Sequence, residues 1–445
     1  MGPTIQLLKD ALSGRKSWYG FVWVLGLVLV VTLYMREPEM RLQLDYTVST
    51  KRFARPCRLL WCDGDSVHFT DYDEAQARVL SMALATGEVG PLRVPGGSQG
   101  PQPFTAAIAA DGESIAAAYG AGESFGVMVW RRGEPNRSSS TRLHVPARDV
   151  LEIVWMNTPR GNAPGQLAVI HRDDGQVALT LLEVHDQFDR IQVSDPGKAR
   201  LLLSHLMSPE WSHLLASSDA EAAVSAVSHP QGRPELLLCL GAETPEARPS
   251  ATGGEIPEPV LYHFFLGDRT EGRAPQPVRI AEGYQPQCPC WTPDGKCIVF
   301  HGGWKGPDSK SKWKNDLYRV ELASPDACPQ GLVVTSNGSR YPVPLPSAFS
   351  WSDCPSAVVF VSRMNTGGNV WVKPVDSPAS RMPRQLTHRL DVVGPPAVHW
   401  AQDYVWIAVV CRTEYRRTWR RKVEYEVRAL QFGTADVSDL VRDSL

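Results

Sequence analysis

Basic and aromatic side chains crowd three short segments in the last third of the chain, at 301–316, 362–369 and 411–422. Arginine can bind carboxylate and phosphate groups through paired hydrogen bonds, and lysine adds a compact positive charge. Tryptophan and tyrosine offer flat rings on which cations and planar groups stack. The candidate ligand-binding residues are Trp304, Lys305, Trp313, Arg363, Tyr415, Arg416, Arg417, Trp419 and Arg420.

Such a surface suits an acidic protein segment, a sugar-phosphate polymer or lipid head groups. The competing interpretation is that the cations only solvate long hairpins while the tryptophan rings pack on strand edges. The net charge of −2 gives the whole molecule no attraction to nucleic acid. Any binding of anions must therefore depend on a local patch, and we predict no nucleic-acid partner.

Two strings match hydrolase motifs, but neither predicts catalysis. The string G-x-S-x-G at 122–126 joins two strand-like runs, whereas a nucleophile elbow needs a helix after its serine. The string S-x-x-K at 309–312 lies in a lysine-rich loop without its companion motifs. His68 and His213 stand alone in unrelated segments. We therefore predict no catalytic residue and no cofactor.

The nine cysteines do not predict a metal site. Cys288, Cys290 and Cys297 cluster, and Cys57 and Cys62 form a second group, but a Cys-Pro-Cys spacing does not suit zinc and a fourth ligand is missing. Two interpretations stay open, namely disulfides of an exported domain and plain buried thiols.

A recurring turn organises the segments around these residues. Its clearest copy is WTPDGK at 291–296, which leads into the apolar run CIVF at 297–300. Proline fixes φ, aspartate accepts backbone hydrogen bonds and glycine takes positive φ, so this string favours a tight turn. Counterparts of Asp294 recur about every 50 residues, with one longer step just before Asp294. They are Asp63, Asp111, Arg160, Glu210, Cys354 and Asp403.

Each turn leads into an apolar run of strand length, and further strand-like runs such as DLYRVEL, NVWVKPV and RQLTH follow. The 36 glycines and 36 prolines suit many short strands joined by turns. The pattern predicts an all-β, seven-bladed β-propeller at 36–435 without a helix after residue 35; a six-bladed ring is the alternative. We expect an expanded loop at about 217–259 and a C-terminal tail at 436–445. The turns themselves are expected to contact nothing and only to place the loops.

The repeats resemble those of the TolB family. The strings WTPDGKCIVF at 291–300 and WSDCPSAVVF at 351–360 match the family's W-S-P-D-G-K turn and following strand, and RQLTH matches its closing R-x-L-T. The match is strong over 284–390 and weaker over 58–283 and 391–432. It departs from the family because TolB has six blades and a helical N-terminal domain. The resemblance implies a scaffold fold and transfers no catalytic site.

The two ends of the chain fit together. The seventh repeat lacks an obvious fourth strand, while LQLDYTV at 42–48 alternates apolar and polar residues as a strand does. We expect this segment to complete the seventh blade, which would close the ring and leave no open edge.

After an N-terminal tail at 1–17, the stretch at 18–35 contains no charged residue and is just long enough to span a bilayer as a helix. Trp18 and Tyr34 suit its two interfaces. A cleaved signal peptide is the alternative, but no small-x-small cleavage site follows. Flanking lysines and arginines weakly favour an N-terminus inside, which places the propeller on the extracytoplasmic, periplasmic side.

Two classes of function follow. The first is a membrane-anchored, noncatalytic β-propeller that acts as a protein-interaction scaffold or ligand-recognition module. Its partner would be a protein, within a membrane complex or outside one, with anionic polymers and lipid head groups as other ligands. The second is an extracytoplasmic enzyme, a lyase or glycan hydrolase, with its site in the central channel. Such a site needs carboxylates or histidines converging from inner strands, and the inner runs here are mostly apolar.

Overall fold

The computed structural model describes most of the chain between residues 43 and 442. The chain divides into two compact units, Met1–Gln43 and Leu44–Leu445, of which the second contains the β-propeller. The stretch at 18–35 lies outside the described residues. Within the described ranges no helix is long and apolar enough to cross a membrane. The gaps between 43 and 442 are 73–76, 96–101, 122–123, 144–149, 158–163, 174–175, 188–189, 195–199, 204–223, 242–257, 267–276, 304–315, 323–327, 334–337, 346–355, 365–366, 402 and 418–419.

Seven antiparallel sheets follow one another along the chain, and strands that neighbour in sequence pair in space. Strands are numbered in chain order from β1 (Gln43–Val48). Blade 1 contains β2 (Arg58–Cys62), β3 (Ser66–Tyr72), β4 (Ala77–Ala83) and β5 (Val89–Pro91), and blade 2 contains β6 (Pro103–Ile108), β7 (Ser114–Ala121), β8 (Ser124–Arg131) and β9 (Glu134–Leu143). Blade 3 contains β10 (Val150–Asn157), β11 (Gly165–Asp173), β12 (Gln176–Gln187), β13 (Arg190–Ser194) and a short extra strand, β14 (Arg200–Leu202).

The remaining blades have the same plan. Blade 4 contains β15 (Val224–Ser228), β16 (Glu235–Leu240), β17 (Val260–Phe265) and β18 (Pro277–Ile280). Blade 5 contains β19 (Gln287–Trp291), β20 (Cys297–Gly302), β21 (Asp316–Glu321) and β22 (Gln330–Val333). Blade 6 contains β23 (Arg340–Leu345), β24 (Ala357–Ser362), β25 (Asn369–Pro374) and β26 (Arg384–Gln385), and blade 7 contains β27 (Ala397–Trp400), β28 (Tyr404–Arg417) and β29 (Arg420–Gly433).

The first strands of the seven blades contact one another in order around a closed ring, from β2 through β6, β10, β15, β19, β23 and β27 back to β2. This arrangement confirms the prediction of an all-β, seven-bladed propeller over its six-bladed alternative. The string at 122–126 links β7 to β8, with Ala121 paired to Ser124, so it is a hairpin as expected.

The ring closes through both ends of the chain. Strand β1 pairs with β29 as the outermost strand of blade 7. Just after β1, the Ser49 N–H donates to the Val427 carbonyl (2.8 Å), and Phe53 and Tyr425 exchange two backbone hydrogen bonds. The prediction that the segment at 42–48 completes the seventh blade is thereby confirmed.

The core lies between blades, where the middle strands bury both of their faces. Every residue of β20 and of β24 is buried. Between blades 4 and 5, for example, Leu237 and Leu261 pack against Ile298 and Phe300. This continuous burial explains the unbroken apolar runs that follow the turns, since a strand with one wet face would alternate instead.

The turn between the first and second strands of blade 5 contacts blade 4, so the expectation that the turns contact nothing is wrong for this copy. The Gly295 carbonyl of blade 5 lies 3.2 Å from His229 Nε2 of blade 4, and the Asp294 carbonyl accepts a hydrogen bond from the Gln231 side chain at 3.1 Å. In blade 1, burial alone would raise the pKa of Asp63, but the bond to His68 and the charges nearby hold it at about 2. The recurring turn therefore fastens blade to blade.

The fourth turn lies at His229–Arg233, between β15 and β16, so the assignment of Glu210 to this position is wrong. Gly232 takes the same left-handed conformation (φ 69°) as Gly295 (φ 68°), and Gln231 stands where the other copy has Asp294. The string lacks the preceding tryptophan and the aspartate, which is why the pattern missed it. The expanded loop is correspondingly narrower than 217–259, since that range includes β15 and β16.

A helix, α1 (Thr434–Arg442), follows β29. It contacts β25, β28 and β29 and buries Val437 and Val441, while the Thr434 N–H donates to the Asp403 carbonyl (3.2 Å). The expectations of a tail at 436–445 and of no helix after residue 35 are therefore wrong. The i, i+4 spacing of the two valines was the available signal, but a single helical turn of pattern is easily overlooked.

The eight cysteines in the described part of the chain are free thiols, and all but Cys328 are buried. Burial raises the pKa of Cys297 to about 11 and that of Cys411 to about 12, so these thiols stay protonated at neutral pH. Of the two interpretations left open by the sequence, buried thiols describe these residues.

The blade-to-blade role of the turns predicts different costs for one substitution at two equivalent glycines. A Cβ at Gly295 would overlap the His229 ring, whereas a Cβ at Gly112, which has the same conformation (φ 72°), would meet nothing within 4 Å. Gly112→Ala should cost about 1 kcal/mol of backbone strain. Gly295→Ala should cost at least about 1 kcal/mol more, because it also displaces the hydrogen-bonded histidine. Equal losses in denaturant unfolding of the two variants would contradict this role.

The closure predicts that deleting residues 40–49 destabilises the whole propeller, because blade 7 loses its outer strand and β29 its partner. The loss of that ladder should lower the free energy of unfolding by about 3 kcal/mol or more. Thermal and denaturant unfolding of the purified protein measure the effect, and deletion of 36–41 is the matched control. An unchanged melting temperature in the 40–49 deletion would show that β1 does not hold the ring closed.

Candidate functional site

A cleft with a volume of about 680 Å³ opens between blades 6 and 7. It is lined by Arg363 and Gly367 in the loop between β24 and β25, by the connection at 389–391, by the stretch of β28 at 411–414, and by Arg428 of β29. Strands alternate in direction, so loops after second strands and connections between blades emerge on the same face. The cleft therefore lies on the face where the sequence placed its basic loops.

The connection between the two blades forms the floor of the cleft and is held from both sides. The Val392 N–H donates to the Gly368 carbonyl (2.9 Å) in blade 6. The Val393 N–H donates to the Val410 carbonyl (2.8 Å), and the Arg412 N–H donates to the Asp391 carbonyl (2.8 Å) in blade 7. These bonds fix the backbone at 391–393 between the blades.

Two glycines allow this close approach. A Cβ at Gly367, whose φ is 86°, would overlap the Leu390 carbonyl oxygen, and a Cβ at Gly368 would lie 2.8 Å from the Val392 carbonyl oxygen. The Gly-Gly pair thus lets the loop of blade 6 run against the backbone of the connection.

Four arginines surround the cleft. Two of them have a close acidic partner, and the others do not. Arg428 donates to Glu426 (Nε to Oε1, 2.7 Å), and Arg412 bonds to Glu414. The bond to Glu414 is the main cause that raises the pKa of Arg412. Asp391 lies 3.7 Å from the Arg363 guanidinium and 3.9 Å from Arg412 Nε, both beyond hydrogen-bond distance.

Arg363 and Arg389 are the guanidinium groups most open to a ligand. The Arg363 side chain is 65% exposed, and its only ion pair among the described residues is with Asp391. Arg389 is exposed and takes a left-handed backbone conformation (φ 57°), and within the described ranges it forms no hydrogen bond or ion pair. An anion could bind either group without breaking a hydrogen bond.

The structure describes only part of the predicted set of binding residues. Arg363 lines the cleft as expected. Tyr415 lies on the same face, and the Arg52 guanidinium stacks on its ring at 4.5 Å, so this ring already packs against the segment after β1. Arg416, Arg417 and Arg420 lie on β28 and β29, but their side chains are outside the description. Trp304, Lys305, Trp313 and Trp419 also lie outside the described residues.

The segment at 411–422, expected to be a loop, is largely a continuation of two strands. Strands β28 and β29 pair without interruption from Tyr404 and Gly433 to Arg417 and Arg420. Arg52 supports this hairpin from the side through an ion pair with Glu424 (3.2 Å). The string Thr-Trp at 418–419 is not a recognised hairpin signal in the sequence, which explains why a loop was expected.

Sequence reasoning missed several residues of the cleft. Arg412 belongs to the charged run at 411–422 but was not selected as a site residue. Arg389 and Asp391 follow directly after the fourth strand of blade 6, and a charged connection on the loop face was the available signal. Arg428 sits inside a strand whose other residues are mostly buried, and a cation in such a run signals a partner.

An ion pair links the first strands of blades 1 and 3. Glu152 of blade 3 is buried and bonds to Arg58 of blade 1, so the pair reaches across blade 2. Among the described residues no group of three or more His, Cys, Asp or Glu side chains is arranged to hold a metal ion.

Comparisons with known proteins show a short stretch similar to TolB and do not establish a family. No protein-family profile matches the chain. A stretch of 43 residues is 44% identical to the Tol-Pal system protein TolB of Rickettsia bellii, and it covers 10% of each chain. The chain thus matches only a tenth of the length of this curated relative.

Two solved structures align with most of the chain at low identity. The β-propeller domain of the Trilobed protease from Pyrococcus furiosus has 12% sequence identity and a TM-score of 0.43, with 84% of this chain and 94% of that chain covered. TolB from Acinetobacter baumannii has 12% identity and a TM-score of 0.35, with 87% and 80% covered. Identities of this size carry no information on ligand or activity.

Proposed function

We propose that the protein is a membrane-anchored, noncatalytic β-propeller that recognises a protein partner through the face bearing the cleft between blades 6 and 7. The observation that carries this proposal is the cleft itself, where Arg363 and Arg389 stand exposed beside a fixed backbone. Arginine held on a rigid scaffold is favoured at binding surfaces, because its backbone is already ordered and association costs less conformational entropy.

A protein partner fits this surface better than a small ligand does. The cleft is open and continues into the long hairpin of β28 and β29, so a binding partner could follow a track rather than fill a closed cavity. The TolB relative is named as a protein of the Tol-Pal system. By analogy we propose a partner within an envelope complex, with anionic polymers and lipid head groups as the ligands to test against it.

A noncatalytic role is supported by what the titratable groups already do. The buried Glu152 carboxylate is engaged by Arg58, and the Asp63 carboxylate by His68 and Arg132. The serine of the string at 122–126 sits in a hairpin. A lyase or glycan hydrolase with its site in the central channel is the alternative. Stoichiometric metal in the purified protein would favour that alternative.

Partner capture tests the proposal. Full-length protein in detergent should retain a partner from membranes of its own source, and the double variant Arg363→Ser, Arg389→Ser should lose most of it. A second variant, Arg416→Ser, Arg417→Ser, Arg420→Ser, tests the hairpin. Arg279→Ser on blade 4 removes an exposed charge and is the control. A partner retained equally by all variants would show that this face is not the binding surface.

We further propose that the propeller lies on the periplasmic side of the membrane, with 18–35 as a single spanning helix. The support is the uncharged stretch and the basic residues before it.

The exposed thiol of Cys328 offers a test of this topology. A maleimide that cannot cross membranes should label the protein in intact spheroplasts, since Cys328 is exposed whereas the other described cysteines are buried. Cys328→Ser should remove most of the label. Labelling that requires lysis would place the propeller on the cytoplasmic side.

A further inference from the structure

We infer that the cleft between blades 6 and 7 binds an acidic peptide segment, and that Asp391 is a built-in competitor whose carboxylate occupies the place the peptide's carboxylate would take. This inference rests on the proposed function and names the chemical class of the partner. It concerns the cleft only and not the central channel.

The first support is an imbalance of charge. Glu414 and Glu426 form close ion pairs with Arg412 and Arg428, which accounts for two of the four guanidinium groups. Asp391 is the only further acid that lines the cleft among the described residues, and it stands between Arg363 and Arg412. One carboxylate therefore serves two guanidinium groups, and Arg389 has no acidic neighbour in the described part of the chain.

The second support is that the Asp391 carboxylate, on a fixed backbone, lies beyond hydrogen-bond distance of both arginines. The Asp391 backbone carbonyl accepts from the Arg412 N–H at 2.8 Å, and the next residue, Val392, donates to the Gly368 carbonyl at 2.9 Å. The backbone is thus held on both sides, and the carboxylate lies 3.7 and 3.9 Å from its two arginines. These distances give attraction without hydrogen bonds, so a mobile carboxylate could bind either guanidinium more closely.

The third support is the volume of the cleft and the charges of the residues that line it. A volume of about 680 Å³ is far larger than one carboxylate or phosphate group needs, and it suits several residues of an extended chain. Asp391 and Glu414 also line the cleft, and they repel a doubly charged phosphate more strongly than a singly charged carboxylate. Carboxylates spaced along a peptide can meet Arg363 and Arg389 while staying away from Glu414.

The test uses full-length protein in detergent and a fluorescent octaglutamate peptide as the probe. Arg363→Ala and Arg389→Ala should each weaken binding about tenfold, the effect of losing one charge-assisted hydrogen bond. Asp391→Asn should tighten binding about threefold or more, because it removes the competing charge and keeps the backbone bonds. Arg279→Ala, on blade 4, should change the affinity less than twofold.

The opposite sign of the Asp391 effect separates recognition from a loss of structure, since a damaged cleft would only bind worse. Melting temperatures of all variants serve as the check on folding. Weaker or unchanged binding in Asp391→Asn would overturn the competitor role, and losses no greater than in Arg279→Ala would overturn the site.

Three further probes separate the chemical class from the proposed function. Octaglutamine should not bind, and neither inorganic phosphate nor vesicles containing phosphatidylglycerol should displace octaglutamate. Binding of phosphate or vesicles in its place would overturn the acidic peptide. If octaglutamate fails to bind while partner capture still depends on Arg363 and Arg389, this inference fails and the proposed function stands.

Discussion

A blade of this propeller cannot bury its own apolar surfaces. Its middle strands are apolar on both faces, and a single layer of four strands leaves both faces to water. Each blade is therefore stable only between two neighbours, as the packing of Leu237 and Leu261 against Ile298 and Phe300 illustrates. A row of such units has two exposed ends, and joining them into a ring removes both. The pairing of β1 with β29 performs that closure.

The same constraint explains why polar chemistry collects at the edges of the blades. On one face, turns such as the one at Gly295 bond to the next blade and have little freedom left. On the other face, the loops rise beyond the packed strands, and the connection at 391–393 bonds to both blade 6 and blade 7. Arginines placed there are held firmly at their backbones and stay accessible at their guanidinium groups, a combination that suits recognition.

The fold could be predicted from the sequence because each repeat carries its own turn and strand pattern. The turn at 291–296 and its copies fixed the number of blades even though one copy was assigned to Glu210 instead of Gln231. The cleft was only partly predictable. Arg363 lies in a loop that follows a recognisable strand, but Arg389 and Asp391 meet Arg412 only through contacts between blades. A helix of nine residues such as α1 leaves too short a periodic pattern to be distinguished from a polar tail.

The closure by β1 and β29 has a consequence for how the protein is made. The outer strand of blade 7 is the first part of the propeller to leave the ribosome, and its partner is among the last. During synthesis β1 must wait unpaired while six blades assemble behind it, since domains take up structure as their chain emerges. A chain that terminates early can stack its blades but cannot engage β1. The exposed strand edge then distinguishes an unfinished propeller from a finished one, and it offers proteases and chaperones a point of attack.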